Sequence, residues 1–356
     1  MNLLILPGDG IGPEITAAAV GCLEAVGDCF GLGLTLTQME VGVASLKSQG
    51  TTFHDNVEQA SRDADGVVLG PVDHHAYPPR EEGGLNPSGE LRIRLDLFAN
   101  IRPTKTTPGV PCVGKPMDLV IVRENTEGFY ADRNMVQGSG EFMPTDDVAM
   151  SLRKVSVKGT RRIAKAAFDL SIKRRKKMAV VTKSNVLRVT DGLFWREAQS
   201  VGEAYADVDV EEVLVDAMAA LLVREPERFD VIVTSNMYGD ILSDEAAELG
   251  GGLGLAGSLN VGNAYAVAQA VHGAAPTIAG TGKANPTALI RSCSMLLGWL
   301  GERRDDSTLV EASEVMHSTM DSVLSDPTNH TPDLGGVRST SEFGAIVEKA
   351  ILGRCA

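Results

Sequence analysis

Short runs of consecutive apolar residues recur along the chain, at residues 2–6, 66–69, 119–122, 178–182 and 231–234. Each is too short for a helix and is bounded by polar or glycine-rich segments, the pattern of strands buried on both faces. Between them the period changes. Over residues 160–172, Ile163, Ala166, Ala167 and Leu170 fall at i, i+3, i+4 and i+7, which predicts a helix. Leu91, Leu95 and Phe98 have helical spacing too, and predict a helix carrying Arg92 on a polar flank. Strands alternating with helices predict an α/β protein with a largely parallel sheet. One segment fits neither period. Residues 249–282 contain no Asp, Glu, Lys or Arg and are rich in Gly, Ala, Ser and Asn. Such a stretch predicts backbone lying close to a ligand or another subunit.

Length and charge narrow the picture. At 356 residues the chain exceeds one simple core, so two domains are expected. With 47 acidic against 33 basic residues the net charge is −14, which argues against nucleic acid or an anionic membrane as partner. The basic run at 173–177 stands between a predicted helix and a predicted strand, and reads as a solvated helix end. The five cysteines, Cys22, Cys29, Cys112, Cys293 and Cys355, form no C-x-x-C pair and read as reduced thiols of a cytoplasmic protein. The opening apolar run lacks the basic start of a signal peptide, and no run is a clean membrane span.

Four motifs offer chemistry. Gly8-Asp9-Gly10-Ile11-Gly12-Pro13-Glu14 follows the first strand, but its G-x-G-x-G spacing is not the Rossmann G-x-G-x-x-G. Asp240 and Asp244 follow the strand at 231–234. In a helix beginning near Asp240 they would share one face and form half of a hard-cation site; an acidic helix start with Asp240 as cap is the competing reading. Asp216, between Val215 and Ala217, is a third candidate carboxylate. Arg92, Arg102 and Arg123 are forks suited to carboxylates, although a simple Arg92–Asp96 helix pair also fits. Lys183 follows the strand at 178–182, where a desolvated lysine can serve as a base.

Taken together these motifs resemble the isocitrate and 3-isopropylmalate dehydrogenase family of β-decarboxylating dehydrogenases. The resemblance runs nearly end to end. It rests on residues 8–14, on Leu91-Arg92 through Arg102-Pro103, on Arg123 through Tyr130, on Lys183-Ser184-Asn185 and on Val215-Asp216-Ala217. It continues in Tyr238 through Glu245, His272 through Pro276 and Ala284-Asn285-Pro286. It implies a two-lobed α/β fold with parallel and mixed sheets, not a Rossmann fold. One lobe would hold residues 1–98 and 251–356 and bind nucleotide; the other, 99–250, would carry the dimer contact. The implied assembly is a homodimer with shared active sites, in which Lys183 and Asp216 reach the site of the partner subunit.

The resemblance also implies roles. Lys183 would remove the hydroxyl proton of a 2-hydroxy acid, and Tyr130 would protonate carbon after loss of CO₂. Asp216, Asp240 and Asp244 would hold Mg²⁺ or Mn²⁺. Arg92, Arg102 and Arg123 would clamp the malate core, with Asn86 and Ser88 reading the C3 substituent. The cofactor would lie on Asn185, His272, Gly273, Ala275, Pro276, Thr277, Ile278 and Asn285. Two positions depart from the common pattern. Ser88 stands where isopropylmalate enzymes place an apolar residue, which points to a small or polar substituent. Thr277 stands where NAD enzymes of the family carry aspartate. Ile278 favours NAD, whereas Lys283 leaves NADP open. Isocitrate, tartrate and malate remain open as substrates, the latter two with little or no decarboxylation, as does a non-catalytic regulatory subunit. Exposed loop positions are expected for His74 and His75.

Overall fold

The computed structural model describes residues 1–130 and 140–355. The chain divides into two compact units, Met1–Leu95 with Thr107–Pro111 and Gly251–Ala356, and Asp96–Thr106 with Cys112–Gly250.

In the first unit the strands β1 (Asn2–Leu6), β2 (Thr35–Gln38) and β3 (Gly66–Leu69) are joined in sequence by α1 (Gly12–Phe30), α2 (Val43–Gln49) and α3 (Asp55–Asp63). Helix α4 (Pro87–Arg94) follows, and after the excursion into the second unit come β11 (Gly257–Val261), β12 (Ala266–Ala270), α9 (Thr287–Arg304), α10 (Ser307–Leu324) and α11 (Thr340–Cys355). The strand order is β2-β1-β3-β12-β11, parallel except for the β11/β12 hairpin. Helix α1 packs on α11, where a side chain at Gly344 would meet the Ala18 methyl at 2.8 Å.

The second unit contains β4 (Ala99–Lys105), β5 (Asp118–Glu124), α5 (Val157–Ile172), β8 (Lys177–Thr182), α6 (Thr190–Gly202), β9 (Asp209–Leu214), α7 (Val215–Arg224), β10 (Val231–Thr234) and α8 (Asn236–Leu249). Its strands run β4-β5-β10-β8-β9, with only β4 antiparallel to its neighbour. Leu119, Ile121, Ala179, Val181 and Ile232 from the strands meet Met218, Leu222, Leu242 and Ala246 from α7 and α8 in the core. A hairpin of β6 (Glu141–Thr145) and β7 (Val148–Ser151) stands apart, every residue of both strands exposed.

Several expectations change. Helix α4 ends at Arg94, and Asp96 adopts a left-handed φ of 48°, so Phe98 lies beyond the helix. Arg92 and Asp96 therefore cannot pair along a helix; Asp96 instead accepts from Arg162 at 2.7 Å. The middle of the uncharged segment 249–282 is the β11/β12 hairpin, all ten of its strand residues buried, so that part lacks charge because it is core. The basic run does follow a helix end but is not simply solvated. Arg174 Nε donates to the buried Asp230 carboxylate at 2.7 Å and its Nη2 to Asp118 at 2.7 Å. The cysteines are not all reduced: Cys29 and Cys355 form a disulfide with Cα atoms 5.6 Å apart, because the C-terminal ends of α1 and α11 lie together. Cys22 and Cys293 are free and buried, and burial pushes the Cys293 thiol up to about 12. Among the described residues no helix is long and apolar enough to cross a membrane.

Candidate active site

In the second unit, chemistry gathers at the carboxyl ends of adjacent strands, where ligands meet open α/β sheets. Arg123 stands at the end of β5, 3% exposed. Its Nε and Nη2 donate to Asn236 Oδ1 at 2.9 and 2.7 Å, and its Nη1 donates to Asp240. Helix α8 can lie this close because residue 239 is glycine: an added Cβ would stand 2.7 Å from the Arg123 side chain. The helix begins at Asn236 after Ser235, one turn before Asp240, so Asp240 is not its cap. Asp240 and Asp244 then share a face, i to i+4.

Arg102 on β4 joins them. Its Nη2 lies 3.3 Å from Asp240 Oδ1 and its Nη1 3.1 Å from Asp244 Oδ1; Nη1 also donates to Ser243 Oγ at 2.6 Å. Burial pushes the Arg102 guanidinium below its usual range, against the pull of the two aspartates. Burial likewise raises the Asp244 carboxyl, with Arg102 opposing and Asp240 adding to the rise. Two cationic forks from β4 and β5 and two carboxylates from α8 are thus interleaved.

Lys183 and Asp216 form a separate pair, Nζ to Oδ1 2.6 Å, at the ends of β8 and β9. The lysine holds the exposed Asp216 carboxyl below its usual range. Among the described residues no three His, Cys, Asp or Glu side chains form a metal-holding group, so Asp216 does not join Asp240 and Asp244 within one chain. Tyr130 is half-buried and Asn185 is exposed.

Sequence reasoning missed what holds Lys183. Asp191, 1% exposed in the first turn of α6, accepts the Lys183 backbone N–H at 2.6 Å and an ion pair from Arg153. Arg153 donates to Ser235 Oγ at 3.0 Å and lies 4.9 Å over the Tyr238 ring. The signal of Asp191 is an aspartate eight residues past the strand-end lysine, which resembles an ordinary helix start.

In the first unit, the loop after β1 and the segment at 272–278 meet backbone to backbone. Gly10 has φ 57°, and Ala274 O occupies the place a side chain would take, 2.0 Å from an added Cβ. Ile11 N donates to the same oxygen at 2.9 Å. Ala275 is held at φ 39°, a left-handed conformation that costs about 1–3 kcal/mol for a residue with a side chain. His272 Nε2 is buried without a hydrogen-bond partner, and burial lowers the imidazole below its usual range. Gly273, Pro276, Thr277 and Ile278 are exposed. Asn285 is buried, its amide committed to Asp333 at 3.0 Å and to Thr287 N at 3.0 Å. On α4, Asn86 Oδ1 caps the helix by accepting from Gly89 N at 3.1 Å, Ser88 is buried, and Arg92 is half-buried. His74 and His75 are exposed on a short 3₁₀ turn.

The family model for isocitrate/isopropylmalate dehydrogenase matches residues 2–347. The chain belongs to this family. Among its relatives is the 3-isopropylmalate dehydrogenase of Sulfurisphaera tokodaii, 37% identical over 342 residues and 96% of each chain. The isocitrate/homoisocitrate dehydrogenase of Thermus thermophilus is 40% identical over 352 residues and 98% of each chain. The crystal structure of isocitrate dehydrogenase from Methylococcus capsulatus superposes with a TM-score of 0.87 at 35% identity, covering 99% of both chains. The family comprises metal-dependent decarboxylating dehydrogenases, so the chain is an oxidoreductase of that class.

The donor chemistry of α8 fits a divalent cation. Asp240 and Asp244 are hard oxygen donors crowded on one helix face, and the burial that raises Asp244 is a cost a dication would offset. The orphaned His272 nitrogen fits the polar edge of a bound nucleotide in the same way.

Proposed function

We propose that this protein oxidises a (2R)-3-substituted malate at C2 with NAD(P)⁺ and then releases the C3 carboxylate as CO₂, the substituent being small or polar. The observation that carries this reading is the interleaving of Arg102 on β4 and Arg123 on β5 with Asp240 and Asp244 on α8. That set offers forks for two carboxylates beside hard donors for a dication. When bound, Mg²⁺ or Mn²⁺ supplies Lewis-acid polarisation of the hydroxyl and ketone oxygens, and NAD(P)⁺ accepts the hydride. Asp240 and Asp244 would hold the metal, with Asp216 contributed by the partner subunit. Lys183 takes the proton from the C2 hydroxyl as the hydride leaves, and the Tyr130 hydroxyl delivers a proton to C3 as the carboxylate departs. Arg92, Arg102 and Arg123 orient the malate carboxylates by bidentate pairing.

The test is a panel of (2R)-malates with different C3 groups, assayed with Mn²⁺ and each nicotinamide cofactor. One CO₂ per reduced nucleotide is expected from at least one 3-substituted malate; no turnover of any member overturns the proposal. The buried hydroxyl of Ser88 supports a second reading, dehydrogenation of a tartrate- or malate-like substrate. In that case the nucleotide is reduced with little or no CO₂.

The cofactor in this reading is NAD. Thr277 and Ile278 are exposed next to the strained Ala275, and Thr277 brings no cation for a 2′-phosphate. Thr277→Asp should raise the NAD/NADP ratio of kcat/KM, by about tenfold for one good charge-assisted hydrogen bond. An unchanged ratio would place the ribose elsewhere. Self-association is supported by the β6/β7 hairpin, where Phe142, Met143, Val148 and Met150 are 43–63% exposed. Light scattering should give about twice 37.6 kDa, and a monomer would leave Asp216 without its proposed role.

A further inference from the structure

We propose that Gln269 is a specificity-determining residue: paired with Ser88, it presents a hydrogen-bonding face that selects a hydroxyl- or carboxyl-bearing C3 substituent over an alkyl one. This rests on the reading that Ser88 faces the C3 substituent. The strand β12 reads Ala-Val-Ala-Gln-Ala and is buried throughout, so a glutamine there breaks the local pattern. Such violations are expected where function outweighs packing. Its side chain has one partner among the described residues: Ser88 Oγ donates to Gln269 Oε1 at 2.9 Å, across 181 positions of sequence. Both residues are under 10% exposed, Ser88 at 9% and Gln269 at 8%.

The geometry is held rigidly. Gln269 pairs with Leu69 on one side and Ser258 on the other, and its carbonyl accepts from Ser258 Oγ at 2.7 Å and Ser292 Oγ at 3.1 Å. The side chain therefore leaves a fixed point on the sheet. With the Ser88 proton spent on Gln269, the serine keeps acceptor lone pairs and the glutamine keeps amide N–H donors. That amide nitrogen is not among the buried side-chain atoms sealed without a partner. Rotating the amide by half a turn exchanges the two roles but leaves the pair with an open donor and an open acceptor. A substituent that fills both is favoured, and an alkyl group leaves them unpaired; polar sites reject an analogue lacking the matching group far more strongly than apolar pockets reject an extra hydroxyl. Gln269 also stands three residues before His272, so the strand that would read the substituent leads into the segment proposed to hold the cofactor.

The test compares wild type, Gln269→Leu, Ser88→Ala and the double variant on (2R)-malates bearing hydroxyl, carboxymethyl, methyl or isopropyl at C3, with Mn²⁺ and NAD⁺. The expected result is that each single variant lowers the polar-to-alkyl ratio of kcat/KM by at least tenfold. The double variant should lower it little further, because the pair acts as a unit. KM for NAD⁺ should stay within about twofold, a readout that general loosening of β12 would move. A ratio unchanged in both single variants overturns the proposal while leaving the decarboxylase reading intact. So does a wild type that already prefers the isopropyl substrate. A wild type inert towards the whole panel overturns both. Should Gln269→Leu fail to fold, Ser88→Ala and Gln269→Met decide between these outcomes.

Discussion

Replacing Lys183 by alanine is expected to lower kcat by about 10²–10⁴-fold, the usual contribution of a positioned general base, while leaving the fold and the KM for nucleotide near wild type. The Lys183 side chain is 26% exposed, and its ammonium end lies on an open carboxylate. Its Nζ meets Asp216 at 2.6 Å, and the Asp216 side chain is 66% exposed, so water replaces the lost partner at small cost. The strand end itself is held by the Lys183 backbone N–H on Asp191, which alanine retains. The loss should therefore appear in kcat, with an unchanged unfolding midpoint. Because the base is proposed to serve the partner's site, mixing Lys183→Ala chains with chains lacking Asp240 should not restore a site in which both defects fall together. It should restore one site per mixed dimer in which neither falls. Full turnover in the Lys183→Ala variant would sink the proposed mechanism.

The elements that the sequence made legible are those whose residues are buried on both faces. Strands β1, β3 and β10 appear as apolar runs of Leu, Ile and Val because helices cover the sheet, each extended by one further residue, Asn2, Gly66 or Thr234. The hairpin β11/β12 is equally buried, but seven of its ten strand residues are Gly, Ser, Asn, Ala or Gln, so low hydrophobicity hides two core strands inside a segment that resembles a ligand loop. Strand β9, Asp-Val-Glu-Glu-Val-Leu, was hidden by its acids, tolerated because it lies at the edge of the second unit's strand order. At the candidate site, the Asp240–Asp244 spacing held because only the period of the helix was needed. Helix α8 starts one turn before the acidic pair suggests, after Ser235, a residue type that favours helix starts. Arg153 and Asp191 were invisible for a different reason. They are 38 positions apart, and no local pattern records a contact of that kind. The Cys29–Cys355 disulfide was missed on the same ground, across 326 positions.

Asp191 carries the second large effect, on stability as well as on rate. Its carboxylate is 2% exposed and is shared between the Arg153 guanidinium and the Lys183 N–H. Asp191→Ala would leave the Arg153 side chain, 8% exposed, as an uncompensated buried cation and the Lys183 amide without its acceptor. Breaking one half of a buried pair costs about 3–5 kcal/mol, readable as a fall in the urea midpoint with an unchanged m-value. Asp191→Asn separates the two functions. An amide oxygen can still accept from Lys183 N–H, yet it brings no charge to Arg153. If the charge is what matters, Asn should be nearly as unstable as Ala. If the hydrogen bond to Lys183 sets the rate, Asn should keep kcat within about twofold while Ala loses about tenfold, 1.4 kcal/mol of barrier. Ser235, whose hydroxyl accepts from the other Arg153 nitrogen, is the residue from which α8 starts, so the same loss would loosen the start of the helix that carries Asp240 and Asp244. That predicts weaker Mn²⁺ binding in Asp191→Ala than in Lys183→Ala, measurable by calorimetry without turnover. Equal Mn²⁺ affinity in the two variants would confine Asp191 to the lysine alone.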